Sequence, residues 1–507
     1  MTRPPAALTR RLFLGTAAAA AFAAPAAARP PASSPRPPAN PTRGRAGPAV
    51  SSRARVPDAD SLIAAARLSG AVAFAVAAPG GALLESAREN EALPPASVAK
   101  TITALYALDR LGPGHRFATR LLATGPLQGG RIAGDLILLG GGDPTLDTDA
   151  LADLAAAAAA RGIRGITGRL LVHGGALPTV PTIDPDQPAH VGYSPAVAGL
   201  NLNYNRVHFE WARSGSGYRV GMDARAARHR PDVYVTRMAV VDRQAPLYTH
   251  RADGRFEDWT VMRAALGTGG SRWLPVRQPE MYAGDVFQTL ARAQGLPLPN
   301  PEVVTGRTLP AATELARHDS APLADILRDM LRWSTNLTAE TVGMAASAAG
   351  GAPPRSLSDS AGQAARWAEG RFGVAGLRLV DHSGLGDASR LSAGALVRLL
   401  AHPAAMAPLR PLLRQVELRD ETGARLANQT LRVAAKTGTL NFVSGLGGYV
   451  TTPGGRDLVF AILTADLPRH NAVPDAQRER PEGGRAWVTR ARGLQTRLLE
   501  RWAAVHG

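Results

Sequence analysis

The chain runs to 507 residues with a formal charge of +17, no cysteine and 5% aromatic residues. It owes nothing to disulfides, and it exceeds one ordinary hydrophobic core, so two or three domains are expected. Nine arginines and no acid fall in residues 1–56, which leaves +8 (17 − 9) on the remainder; that suits an anionic polymer or headgroup surface, whereas nucleic acid is excluded because no basic cluster accompanies a recognition motif.

At the N-terminus, Thr9-Arg10-Arg11-Leu12-Phe13-Leu14 precedes an alanine-rich stretch ending in Ala26-Ala27-Ala28. This is the pattern of a twin-arginine export signal over residues 1–28, too short and alanine-rich to favour a membrane anchor, and it predicts a periplasmic protein. Residues 29–56, rich in Pro, Ala and Arg, cannot bury enough apolar surface to order themselves and read as a disordered linker.

Residues 72–78 and 82–87 read as a hairpin. Pro94-Pro95-Ala96 then stops the chain, and Ser97 opens an apolar-periodic run through Val98, Ile102, Leu105, Leu108 and Leu111. Lys100 lies one helical turn after Ser97, the spacing of a nucleophile and its base; taken alone, the same pattern fits a capping serine followed by a solvated lysine. Lys100 is one of only two lysines, against 56 arginines. A guanidinium stays protonated at any accessible pH while a desolvated ammonium can release its proton, so retained lysines point to a site of proton transfer.

Strand patterns follow at 132–139 and 168–173, with a helix over 147–161 between them and a β-rich stretch at 207–240. Asn201, Asn203 and Asn205 read as turn formers, and His173 as a surface loop residue. Ser334-Thr335-Asn336 joins two helical patterns, 322–331 and 337–349, and by itself reads as an N-cap. Asp381-His382-Ser383-Gly384-Leu385 reads as a turn. Lys436, the second lysine, opens Lys436-Thr437-Gly438-Thr439 on a strand, where Gly438 would let a substrate backbone lie against the edge. The Arg, Leu and Trp of residues 487–502 predict a helix packing its apolar face on the sheet, with at most peripheral membrane contact.

Ser-x-x-Lys, Ser-x-Asn and Lys-Thr-Gly occur in that order. With Leu93-Pro94-Pro95-Ala96-Ser97, Leu138-Leu139-Gly140-Gly141-Gly142-Asp143-Pro144-Thr145-Leu146, Ser334-Thr335-Asn336-Leu337-Thr338-Ala339-Glu340 and Asp381-His382-Ser383-Gly384-Leu385, they resemble the penicillin-binding D-alanyl-D-alanine carboxypeptidase/endopeptidase family, the class C low-molecular-mass type or peptidase family S13. The resemblance runs from about residue 62 to the C-terminus. It implies an α+β fold: a β-lactamase-like, helix-flanked antiparallel sheet interrupted by smaller β-rich domains. We expect a catalytic domain over 57–116 and 279–507, with an inserted region over 117–278 holding two nested small domains.

The resemblance further implies an exported serine peptidase acting on D-Ala-D-Ala stem peptides of peptidoglycan, acylated by β-lactam antibiotics and needing neither cofactor nor metal. Ser97 would be the nucleophile, Lys100 its base, and Ser334, held by Asn336, the proton relay. Lys436 and Thr437 would hold the terminal carboxylate beside Gly438, with the N–H groups of Ser97 and Thr439 as oxyanion hole. Lys100 would be partly deprotonated and Lys436 a cation. A β-lactamase and a non-catalytic wall-binding protein on the same fold are the alternatives. Against the lactamase stand the 237 residues between Ser97 and Ser334 (334 − 97) and the lack of a Glu-x-x-Leu-Asn motif. Where family members that favour diaminopimelate often present an acid, this chain has His173, which cannot pair with an amino group as a carboxylate would. Oligomeric state stays open.

Overall fold

The computed structural model describes residues 56–175, 177–306 and 308–507. The export signal and all but the last residue of the linker lie outside them.

A five-stranded antiparallel sheet joins the two ends of the chain, in the order Arg432–Leu440, Val443–Thr451, Asp457–Ala465, Ala71–Ala77 and Leu83–Ala87. Its inner strands are mostly apolar and almost wholly buried because both faces are covered. Along Ala71–Ala77 the alternation is size-graded. Ala73, Ala75 and Ala77 face one core with Val98, Leu396 and Leu400, while Val72, Phe74 and Val76 face another with Leu498 and Trp502. Small residues on the first face let helices Lys100–Leu111 and Ala393–Ala401 approach the sheet closely. On the second face, Trp502 of helix Gly484–His506 is fully buried between Phe74 and Phe460; truncating such a side chain costs about 3–5 kcal/mol. That helix therefore packs on the sheet, as its pattern predicted. Among the described residues no helix is long and apolar enough to cross a membrane.

The second five-stranded sheet is mixed, in the order Pro301–Val303, Leu170–His173, Leu136–Leu139, Ala118–Ala123 and Thr313–Asp319. Helices Thr148–Ala160 and Pro279–Ala293 share its core. Met281, Tyr282, Val286, Phe287 and Leu290 bury against Leu136, Leu138 and Val172. The chain rejoins the first core only with helix Leu323–Trp333, whose Leu323, Ile326, Leu327 and Met330 pack there. The β-rich stretch extends beyond 240 into two three-stranded sheets, one of Arg206–Ser214, Gly217–Asp223 and Gly269–Pro275, the other of Thr236–Val241, Tyr248–Ala252 and Glu257–Met262.

Candidate active site

Ser97 lies on a 3-10 turn, Ala96–Ala99, that feeds helix Lys100–Leu111; neither carries a side-chain cap, so the Ser97 hydroxyl is not spent on the backbone. Ala96 enters this turn at φ +46°, a left-handed conformation that a non-glycine residue holds only when its surroundings impose it. Two glycines do the imposing. A Cβ on Gly438 would stand 2.6 Å from Pro95 O, and one on Gly384 only 1.9 Å from Ala96 O. The gap at Gly438 is thus filled by the nucleophile's own turn, whereas its sequence suggested room for a substrate backbone.

Lys100 is fully buried. Its ammonium donates to Ser97 Oγ at 3.0 Å, to Asn336 Oδ1 at 2.8 Å and to the carbonyl of Ser383 at 2.7 Å. The first contact is at the distance a nucleophile and its base require; the other two fix the direction of the amine. Burial pushes Lys100 down to about 8, against the opposing pull of Glu340 and Asp381.

Ser334 caps helix Leu323–Trp333 in the left-handed region, φ +59°, and Thr335 starts helix Asn336–Ala349 without a side-chain cap bond. Both Ser334 and Asn336 are therefore free to face the site, and the N-cap alternative falls away. Asn336 spans the cleft, since its Nδ2 donates to the Tyr193 carbonyl at 2.9 Å while its Oδ1 holds Lys100. The Lys436 ammonium, almost fully buried, donates to Ser334 Oγ at 2.9 Å and to Thr437 O at 2.7 Å.

Lys436 departs from the expected contrast between the lysines. Burial drives its pKa well below the ordinary lysine value, and the nearby charges of Lys100 and Arg414 push the same way. Both lysines are thus depressed, but only Lys100 has acids to oppose the fall.

Four groups were given no part in the site by the sequence reading. Glu340 is fully buried and accepts the N–H groups of His382 at 2.9 Å and Ser383 at 2.8 Å. It thereby presents the Ser383 carbonyl to Lys100; burial and the charge of Asp381 hold it well above the usual carboxylate range. Asp381 binds the N–H groups of Gly384 and Gly386, so the turn expected here is found and forms the floor beneath the base. The third is the Tyr193 carbonyl, and the fourth is Arg414, whose guanidinium donates to Thr437 Oγ1 at 3.3 Å. Glu340 left a signal, as a single acid in the otherwise uncharged helix 336–349, and so did Asp381, in the turn read at 381–385. The others come from segments that approach the triplets only in three dimensions.

His173 is not a surface loop residue. It is buried at a strand end, its Nδ1 accepting Gly175 N at 2.8 Å and its Nε2 meeting Gly306 O. Both ring nitrogens are committed to local backbone. Among the described residues one cluster has metal-ligand spacing, His208, Glu210 and Asp223. Arg225 already bridges its two carboxylates, at 2.8 Å to Glu210 and 2.7 Å to Asp223, so that cluster carries its own counter-cation.

Comparison with known proteins accords with this geometry. Residues 57–487 match the D-Ala-D-Ala carboxypeptidase 3 (S13) family. A D-alanyl-D-alanine carboxypeptidase of Actinomadura sp. (strain R39) is 29% identical, over 83% of this chain and 82% of its own. Carboxypeptidase Rv3627c of Mycobacterium tuberculosis is 28% identical, over 73% and 71%. In fold, the chain resembles penicillin binding protein 4 (dacB) of Haemophilus influenzae, with a TM-score of 0.69 at 20% identity, covering 87% of this chain and 99% of that one.

Proposed function

Since the chain belongs to the D-Ala-D-Ala carboxypeptidase 3 (S13) family and is an α+β serine-type D-Ala-D-Ala carboxypeptidase of peptidoglycan metabolism, we propose that Ser97 carries its chemistry through an acyl-enzyme. The observation that bears most weight is the buried Lys100 amine 3.0 Å from Ser97 Oγ. Deprotonated, Lys100 takes the Ser97 proton as Oγ attacks the D-alanyl carbonyl. The tetrahedral oxyanion is met by the N–H groups of Ser97 and Thr439. Ser334, hydrogen-bonded to Lys436, relays the proton taken up by Lys100 to the leaving amine as the C–N bond breaks, which returns Lys100 to its free-base form. Water then attacks the ester and regenerates the serine. Lys436 and Thr437 bind the terminal carboxylate, and Asn336 orients both Lys100 and the acyl side of the substrate.

On this reading the enzyme trims stem peptides or opens their D-Ala cross-links, is acylated by β-lactams and works in the periplasm after twin-arginine export. The inserted region over 117–278 serves as accessory structure, reaching the site through Tyr193. Peptide mapping after treatment with a penicillin tests the assignment: one stoichiometric adduct on Ser97 is expected, with slow release and with D-alanine liberated from unlabelled enzyme. A label on another serine, or penicillin binding unchanged in Ser97→Ala, overturns it. Rapid penicillin turnover would identify a lactamase instead.

A further inference from the structure

His382 lies in the turn beneath Lys100, yet no step of the acylation uses it. It is fully buried. Its backbone is tied on both sides: the N–H donates to Glu340 Oε2 at 2.9 Å, and the carbonyl accepts from Thr103 Oγ1 at 2.7 Å. The ring packs on helix Asn336–Ala349 at Gly343, where a Cβ would stand only 2.3 Å from it. Any side chain at that position would push the imidazole out of its place.

Behind the ring runs a chain of buried hydroxyls. His382 Nε2 meets Ser360 Oγ at 2.8 Å, Ser360 Oγ meets Ser347 Oγ at 2.8 Å, and Ser347 Oγ meets the Tyr106 hydroxyl at 3.2 Å. Burial pushes the His382 pKa down to about 3, so the ring is neutral. Its Nδ1 has no hydrogen-bond partner among the described residues, which leaves Ser360 as the ring's polar hold. The chain crosses three helices, Lys100–Leu111, Asn336–Ala349 and Leu357–Phe372. The first carries the base and the second carries Asn336, so the ring pins the turn to both helices that converge on the Lys100 amine. One peptide along from His382, the Ser383 carbonyl accepts that ammonium at 2.7 Å. A displaced ring therefore displaces an acceptor that favours the charged form of Lys100.

We propose that His382 is a positioning residue: held by Ser360 and the hydroxyls behind it, it keeps the Ser383 carbonyl on the Lys100 ammonium and so governs how readily that amine gives up its proton. This rests on the reading of Lys100 as the base, but the effect on the amine is measurable without turnover. The charged groups facing the amine are Glu340 from its helix, Asp381 from the turn and Lys436 from the strand. All three stay in place in the variants compared.

The test is an NMR pH titration of protein isotope-labelled in lysine alone, where the two lysines give two Cε signals and Lys436→Arg assigns them. Ser360→Ala removes the ring's partner, 22 residues from the turn. His382→Phe keeps a ring that can neither donate nor accept, and His382→Gln restores an amide that can reach Ser360. In the first two variants the ammonium loses a well-placed acceptor, and the Lys100 midpoint should fall by about one pH unit, the scale of one hydrogen bond to a charged group. His382→Gln should keep the parent midpoint. An unmoved midpoint in Ser360→Ala and His382→Phe, with only the melting temperature lowered, would make the chain a packing device and overturn the proposal. A rise would overturn it too, since it would mean that water enters the site. Ser360→Ala decides the matter alone if His382→Phe does not fold. The pH dependence of Ser97 acylation, measured separately, bears on the catalytic reading: acylation that ignores the Lys100 midpoint overturns that reading and leaves the positioning role standing.

Discussion

Gly438 and Ser97 lie 341 residues apart in sequence (438 − 97), yet a Cβ on Gly438 would stand 3.0 Å from the Ser97 nitrogen. A methyl there also meets Pro95 O and Ala96 Cβ, none of which is the yielding end of a flexible side chain. Gly438→Ala should therefore displace the nucleophile turn. We expect destabilisation of about 1–3 kcal/mol, typical of overpacking, and a fall in penicillin acylation of roughly 100-fold, since small misplacements of reacting groups have such effects. Thermal melting and fluorescent-penicillin kinetics measure the two. Wild-type acylation in this variant would show that the turn is not held by the strand.

Acylation should depend on pH through Lys100. The base acts when deprotonated, and burial brings it down to about 8, so the rate of Ser97 acylation should climb through that pH and level off above it. Glu340, once ionised, opposes the fall; replacing it with Gln removes the negative charge that favours the ammonium in that pH range, and the half-point should move to lower pH. The rate on the plateau should also drop, because the Gln amide cannot accept both backbone N–H groups. If Glu340 were only structural, the plateau would fall while the half-point stayed in place.

Reductive methylation with labelled formaldehyde marks the two lysines and the N-terminus, giving three resonances. Both lysine signals should titrate below the unperturbed value of about 10.4, because both ammonium groups are buried. A penicillin added beforehand should protect Lys100. An ordinary midpoint for Lys436 would mean that its burial is relieved in solution. Lys100→Arg should abolish acylation, whereas Lys436→Arg should only weaken it, since a guanidinium still binds a carboxylate.

The paired Arg10 and Arg11 suit a receptor that reads two guanidiniums. Converting both to Lys should hold the precursor in the cytoplasm, as fractionation and immunoblotting would show. Undiminished periplasmic protein in that double variant would reject the twin-arginine route.

The sequence by itself determined which candidate groups are local neighbours, and much of the scaffold. Ser97 and Lys100 share a turn, Ser334 and Asn336 share a helix junction, and Lys436 to Thr439 share a strand. Those are local relationships, readable from spacing and periodicity. The hairpin of residues 72–78 and 82–87 and the apolar stripe of the last helix were legible for the same reason. Tertiary structure decided what depends on packing at long range. Helix Pro279–Ala293 has an apolar face that two cores could accept, and only the parallel pairing of Pro301–Val303 with Leu170–Val172 commits it to the second. His173 sits buried because the segment at Gly306 folds over it. Lys436 ends with neighbours of its own charge, and Lys100 with Glu340 and Asp381. A pKa follows from desolvation and nearby charges, and these are brought together by elements a hundred or more residues apart, which no local pattern records.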